Sequence, residues 1–262
     1  MLGKLRALFG SATSAPQRAG RAHLAAEGWP AVIYAIGDIH GCLVELRELE
    51  SRIVEDAAAI EGEKWLVYLG DFVDRGPDSL GVLDHLTARP PRGFRRVCLA
   101  GNHEVMMLAF LDNPDRQSDW PQFGGQETLT SYGINAPDFL ASPLRQRRAI
   151  LDSHVPPEHV EFLSDLALTL SVPGVVFVHA GLRPDVPLDR QGEHDLLWIR
   201  DEFFNAPPVP GRLVVHGHTP ANQAVIVPGR ICVDTGAFAT GRLTAVRLAL
   251  NEQPRIIEYA RG

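Results

Sequence analysis

Five short apolar segments of this chain each run into a glycine-bounded cluster of aspartate, histidine or asparagine. The clusters are GDIHG (37–41), GDFVDRG (70–76), GNHE (101–104), HAG (179–181) and HGHT (216–219). The segments before the first three, AVIYAI (31–36), WLVYL (65–69) and RRVCLA (95–100), have the length of β-strands. Between them the period changes to that of a helix. Leu43, Leu46, Leu49 and Ile53 recur at three and four, SLGVLDHL follows Pro77, and Met106, Met107 and Phe110 mark a third helix. Such a βαβαβα series implies parallel strands with helical crossovers. Parallel strands bring their carboxyl ends to one edge of a sheet, where ligands of open α/β sheets bind. The clusters are therefore expected to converge, with glycines permitting tight turns and close backbone approach.

The rest of the chain fits around that series. Residues 112–127 form a long, turn-rich connection, and loops of this length tend to be functional. Trp120 and Phe123 within it are read as local packing residues first and as groove-lining residues second. The region from about 126 to 170 is expected to be helical, with breaks at Pro137, Pro143 and the Pro156-Pro157 pair. Beyond it the pattern turns β-rich through RIIEYA, which suggests a second sheet with antiparallel parts. The expected fold class is α/β: a four-layer sandwich of two packed mixed sheets flanked by helices. Residues 1–30 are expected to be a loosely ordered arm, and residues 31–262 the domain.

Composition narrows the function classes. With 45% hydrophobic and 22% charged residues the chain is neither disordered nor a coiled coil. No apolar run reaches 18 residues, so no transmembrane helix is expected, and Lys4 and Arg6 interrupt any signal-peptide core. A net charge of −7 discourages nonspecific nucleic-acid binding, so no nucleic-acid partner is expected. Cys42, Cys98 and Cys232 share no CxxC spacing and read as reduced core residues, which suits the cytoplasm.

The cluster side chains suit metal ions. Aspartate oxygens and histidine nitrogens are ligands for Mn, Fe or Zn, and an asparagine carbonyl oxygen is an acceptable hard ligand. Asp38 and His40 stand two apart at a strand end, and Asp71 is positioned to bridge two ions. Asn102, His179 and His218 then remain for the second ion. A bridged pair roughly 3.5–4 Å apart clamps both oxygens of an in-line displacement at phosphorus.

At these residues the chain resembles the calcineurin-like metallophosphoesterase superfamily. Its likeness is strongest to the phosphoprotein phosphatase group, whose hallmarks are GDxHG, GDxVDRG and GNHE. The match runs from about residue 36 to 240. The resemblance implies two divalent ions, manganese foremost with iron or zinc as alternatives. Asp38, His40 and Asp71 would hold one, and Asp71, Asn102, His179 and His218 the other. It further implies that His103 protonates the leaving oxygen, that Asp74 orients His103, and that Arg75 grips the phosphate, with Asn102 also facing substrate. A second phosphate-binding arginine follows HAG in the family. Arg200 is preferred by position over Arg183. In HGHT the family pattern favours His218 over His216, which becomes a supporting or core residue. Glu104 is expected to brace the site rather than ligate. Asp234 is equally a support for a ligating histidine or a plain turn residue.

The implied activity is phosphomonoester hydrolysis by a water activated at the metal pair. The substrate class would be phosphoserine or phosphothreonine proteins, with phosphotyrosine and small phosphoesters open. The alternative is symmetrical hydrolysis of dinucleoside polyphosphates such as diadenosine tetraphosphate. Those enzymes usually lack the VDRG aspartate and read NHD, whereas this chain has Asp74 and Glu104. A noncatalytic scaffold is the third reading, disfavoured because neither a ligand nor the acid is missing. The segments GGQETLTSYG and LLWIRDEF resemble the bacterial branch, and the tail shows no counterpart of the eukaryotic substrate-groove motif. Two bound dications would move the formal charge from −7 to about −3, so an acidic chain can still present a phosphate-seeking pocket.

Overall fold

The computed structural model describes residues 20–115 and 118–262. The strands, in chain order, are β1 (His23–Ala25), β2 (Val32–Ile36), β3 (Lys64–Tyr68), β4 (Phe94–Cys98), β5 (Thr169–Val172) and β6 (Val175–Val178). They continue as β7 (Leu213–His216), β8 (Val225–Val227), β9 (Arg230–Cys232), β10 (Arg242–Leu248) and β11 (Arg255–Ala260). The first helices are α1 (Leu43–Asp56), α2 (Ser79–Thr87), α3 (Asn102–Asp112), α4 (Gly125–Ser131) and α5 (Ala136–Ala141). Then come α6 (Leu144–His154), α7 (Pro157–Asp165), α8 (Glu193–Trp198), α9 (Asp201–Phe204) and α10 (Ala237–Thr240).

Two mixed sheets result, one ordered β11-β10-β2-β3-β4 and the other β1-β5-β6-β7-β9-β8. In the first, β2, β3 and β4 run parallel; in the second, β6, β7 and β9 do. The period-two alternation of strand side chains builds the layers. Ile33, Ala35, Trp65 and Val67 point to a core shared with Phe177, Val215 and Ile231 of the other sheet. Val32, Tyr34, Ile36 and Leu66 face the opposite way, into a core with Leu46, Leu49 and Ile53 of α1. The expected sandwich of two mixed sheets with helices outside is what forms. Each fully buried aliphatic side chain of this kind contributes roughly 1.5–3 kcal/mol.

Three local expectations are changed or sharpened. The last two strands do not join the second sheet: β10 pairs antiparallel with β2, and β11 with β10. Leu243 and Ala245 bury on one face of β10, and Val246 and Leu248 on the other, so it needs a place between two strands and two layers. The helical middle region is interrupted at its prolines as expected, and each proline stands at the start of the helix that follows. Pro137 lies in the first turn of α5, and Pro143 and Pro156 directly precede α6 and α7, because a fixed φ and a missing N–H cost nothing there.

The third change concerns the arm expected over residues 1–30. β1 pairs parallel with β5, Arg21 donates to the carbonyls of Leu163 and Leu166, and the Trp29 indole donates to Pro173 O. Residues 21–30 are thus part of the folded unit. The amphipathic stretch containing Leu2, Leu5, Leu8 and Phe9 lies outside the described residues.

Candidate active site

The five clusters follow β2, β3, β4, β6 and β7, and parallel pairing within each sheet brings those carboxyl ends together. The turns are sharp. Of the seven described non-glycine residues with positive φ, five are His40, Asp71, Asp74, Arg75 and His218. Left-handed backbone at such residues costs on the order of 1–3 kcal/mol each and persists only where the surroundings enforce it. Glu104 does much of the enforcing. Its carboxylate accepts the backbone N–H groups of Asp71 (2.8 Å), Phe72 (2.7 Å) and Gly101 (2.8 Å). Glycine is required at two close approaches: a Cβ on Gly101 would collide with Asp71 Oδ1, and one on Gly217 with Asp38 Oδ1.

Among the described residues, two groups of donor atoms lie mutually within 4.8 Å: His40, Asp71 and His103, and Asp71, His179 and His218. Asp71 is common to both. Asn102 Oδ1 lies 2.9 Å from His179 Nε2, and His218 Nδ1 lies 3.2 Å from that same nitrogen. Asp38 stands beside these groups rather than within them. It accepts the His218 backbone N–H (3.0 Å to Oδ2), and the negative charge of Asp234 acts on it. Asp234 Oδ1 accepts the Gly236 backbone N–H at 2.9 Å, a contact within its own turn. Burial, sharpened by Asp71 and Asp234, pushes Asp38 well above the usual carboxylate range, and burial raises Asp234 to about 6.

The donor chemistry fits cations. His40 Nδ1 donates to Val73 O (2.8 Å) and His179 Nδ1 to Leu69 O (2.9 Å), which leaves each Nε2 facing the cluster. Burial lowers the His40 pKa to about 3 and also lowers that of His179, so both rings are neutral near pH 7. Their Nε2 lone pairs then face Asp71 oxygens at 3.5 and 3.4 Å, acceptor against acceptor. A cation between them relieves that opposition. Burial likewise takes His218 down to about 3.

Two arginines reach over the cluster. Arg75 lies 3.2 Å from His40 Nε2 and 3.0 Å from His103 Nε2. Arg200 Nε donates to His218 Nε2 at 3.2 Å. Arg183 does not come to the site, because Asp195 engages its guanidinium at 2.6 Å through both carboxylate oxygens. His216 is also set apart: it is packed between the rings of Phe203 and Phe204.

His103 and Asp74 form a buried dyad, with Nδ1 2.7 Å from Oδ2. Burial works against a charge on His103, but the Asp71 and Asp74 carboxylates outweigh it and raise its pKa. The sequence reading missed what surrounds Asp74. The Trp120 indole donates to Oδ2 (2.8 Å), and Thr128 Oγ1 donates to Oδ1 (2.7 Å) and accepts from Asp74 N (2.8 Å). Trp120 also packs on Phe110, so the local packing reading holds and a polar contact is added. Two half-exposed aromatics of this region carried no sequence signal. Phe238 of α10 lies over Arg75 and edge-on to His40, and Trp198 lies edge-on to His218.

A two-sheet sandwich with an Asp/His/Asn cluster at the strand ends, a carboxylate–imidazole dyad and convergent arginines defines a metal-dependent phosphoesterase. The chain belongs to the calcineurin-like phosphoesterase family, which it matches over residues 31–251. It is therefore a hydrolase of phosphoester bonds.

Named relatives include the asymmetrical bis(5'-nucleosyl)-tetraphosphatase PrpE of Bacillus thuringiensis, 24% identical over 81% of this chain and 88% of the relative. The protein of the same name from Oceanobacillus iheyensis is 26% identical over 83% of this chain and 88% of its own length. Among solved structures, one described as a proposed diadenosine tetraphosphatase superposes with a TM-score of 0.63 at 23% identity, covering 91% of this chain and 98% of its own. A Saccharomyces cerevisiae serine/threonine phosphatase reaches 0.56 at 15% identity, over 92% of this chain and 84% of its own. These structural likenesses bear on the fold. No helix among the described residues is long and apolar enough to cross a membrane.

Proposed function

We propose that the chain is a divalent-metal-dependent hydrolase of dinucleoside polyphosphates, diadenosine tetraphosphate in particular. The observation that carries this reading is the name shared by relatives that align over about four fifths of the chain. The protein phosphatases, in contrast, are similar in fold at 15–17% identity. The lead thus passes from phosphoproteins to dinucleoside polyphosphates, with an asymmetrical cut in place of the symmetrical one expected as the alternative. Asp74 and Glu104 spoke against the symmetrical hydrolases, and the relatives carry the word asymmetrical instead. Cleavage would accordingly give a nucleoside triphosphate and a monophosphate.

His40, Asp71, Asn102, His179 and His218 would hold two divalent ions, with Asp38 completing the set. Manganese is the first choice, iron and zinc the alternatives. Bound there, the ions supply Lewis acidity at phosphorus and a more acidic water. The chain's own residues do the rest. Arg75 and Arg200 present planar forks to phosphoryl oxygens, as the family resemblance proposed. Water adds to one phosphorus, and the bond from that phosphorus to the leaving oxygen breaks. His103 delivers a proton from Nε2 to that oxygen, while Asp74 holds Nδ1 and so the orientation of the ring.

A second reading, hydrolysis of phosphoserine, phosphothreonine or phosphotyrosine in proteins, is favoured by the His103–Asp74 dyad itself. An alkoxide is a poor leaving group and needs its proton more than a nucleotide phosphate does. Free thiols at Cys42, Cys98 and Cys232 support a cytoplasmic location. The test is product analysis with diadenosine tetraphosphate, phosphoserine peptide and phosphotyrosine peptide, each with Mn²⁺ and with chelator. ATP plus AMP supports the lead reading. Two ADP, or phosphate release from the peptides alone, overturns it.

A further inference from the structure

Next to the candidate phosphate seat lies an open cleft of about 440 Å³, lined by Arg75, Gln122, Phe123, Gln126, Glu127 and Phe238, among others. That volume lies within the range of small-molecule sites. Phe123 is 51% exposed and Phe238 40%, although both are large apolar rings. Arg75 forms the inner end of the cleft, its guanidinium 5.0 Å from the Phe238 ring centroid. The outer wall is tied to the same arginine, because Arg75 N donates to Gly124 O at 3.1 Å. Phe123 therefore sits on a loop whose position is coupled to Arg75.

We infer that this cleft is a nucleobase subsite, taking the base attached to the phosphate under attack. The inference rests on the dinucleoside polyphosphate reading and deepens it. Two aromatic faces offer stacking to a planar ring, which is largely indifferent to which base it is. The carboxamides of Gln122 and Gln126 offer paired donors and acceptors of the kind that match base edges. Apart from Arg75 at the inner end, the lining residues named here carry no cation, and Glu127 carries a negative charge. The cleft therefore suits a base and disfavours a phosphate chain, which belongs with Arg75, Arg200 and the metal ligands.

Its closeness to Arg75 has a consequence for the bond cut. When the base fills the cleft, the phosphate nearest its ribose occupies the seat. Attack at that first phosphorus releases a nucleoside monophosphate from one end and a triphosphate from the other, the asymmetrical outcome.

The test compares kcat/KM for diadenosine tetraphosphate with that for tripolyphosphate, which has no base, in wild type, Phe123→Ala and Phe123→Trp. Adenosine serves as a phosphate-free competitor. The expected result is a fall of about tenfold in the ratio for Phe123→Ala, the order of a lost base stack, and its recovery in Phe123→Trp. Adenosine should compete in the wild type and much more weakly in Phe123→Ala. Failure of the substrate reading is distinguishable. Competition by adenosine that depends on Phe123 supports the cleft even if the dinucleotide is not cleaved. An unchanged ratio, or no adenosine competition in the wild type, overturns it even if the dinucleotide is cleaved.

Discussion

Trp120 donates its indole N–H to Asp74 Oδ2 at 2.8 Å, the same oxygen that lies 2.7 Å from His103 Nδ1. Asp74 is fully buried, so its carboxylate is held by fixed donors and not by water. A loop residue 46 positions away in sequence thereby sets the carboxylate that sets the imidazole.

Replacing Trp120 by Phe keeps the ring on Phe110 and removes that donor. A hydrogen bond to a charged group contributes roughly 1.5–3 kcal/mol, so urea denaturation should show a loss of that order. Turnover should fall about tenfold with KM little changed, since the ring supports orientation and not binding. A variant equal to wild type in both measurements would show that Trp120 only fills space.

His103→Asn removes the proposed proton donor while leaving the ligands in place. With a phosphoserine peptide kcat should fall by roughly 10²–10⁴, the span of general acid catalysis. With nitrophenyl phosphate, whose leaving group needs little help, the loss should be much smaller. Metal analysis should show unchanged content. Equal losses on both substrates would remove the acid role.

Asp71 is the residue common to both donor groups. Asp71→Asn should therefore lower metal content and activity together, as measured by elemental analysis after dialysis. Two ions retained at full occupancy would rule out the shared role.

The carboxylates give a pH signature. Burial, with Asp71 beside it, raises Glu104 to about 7, and burial raises Asp234 to about 6. A carboxyl group whose folded pKa is raised adds stability below its unfolded pKa, near 4, and loses it as pH rises through the folded value. Metal-free protein should thus lose stability from these groups between about pH 5 and 7. Dications favour the charged forms, so the rise in Tm on adding Mn²⁺ should grow over that interval. A rise that stays level or shrinks with pH would contradict this coupling.

Much of the site was legible because its elements are local. Each cluster is a strand end followed by glycine and a short polar side chain, so residue type and order already imply convergence. The helices of the first half were readable for the same reason, as Leu46, Leu49 and Ile53 repeat at helical spacing and bury against β2. Arg200 over Arg183 was not decidable locally. Asp195 engages Arg183, and that pairing exists only once α8 is in place.

What the amino-acid sequence determined alone was the parallel βαβ series and the Asp, His and Asn side chains at its strand ends, because these depend on short-range periodicity and turn geometry; the phosphoester reading came with the family resemblance of those motifs. Tertiary structure decided that β10 lies between β2 and β11, that Asp38 accepts the His218 backbone N–H, that Trp120 reaches Asp74, and that Phe123 and Phe238 share a cleft with Arg75. Each of these joins residues distant along the chain. Their contacts arise from how two sheets and their loops close on one another, which no local pattern encodes.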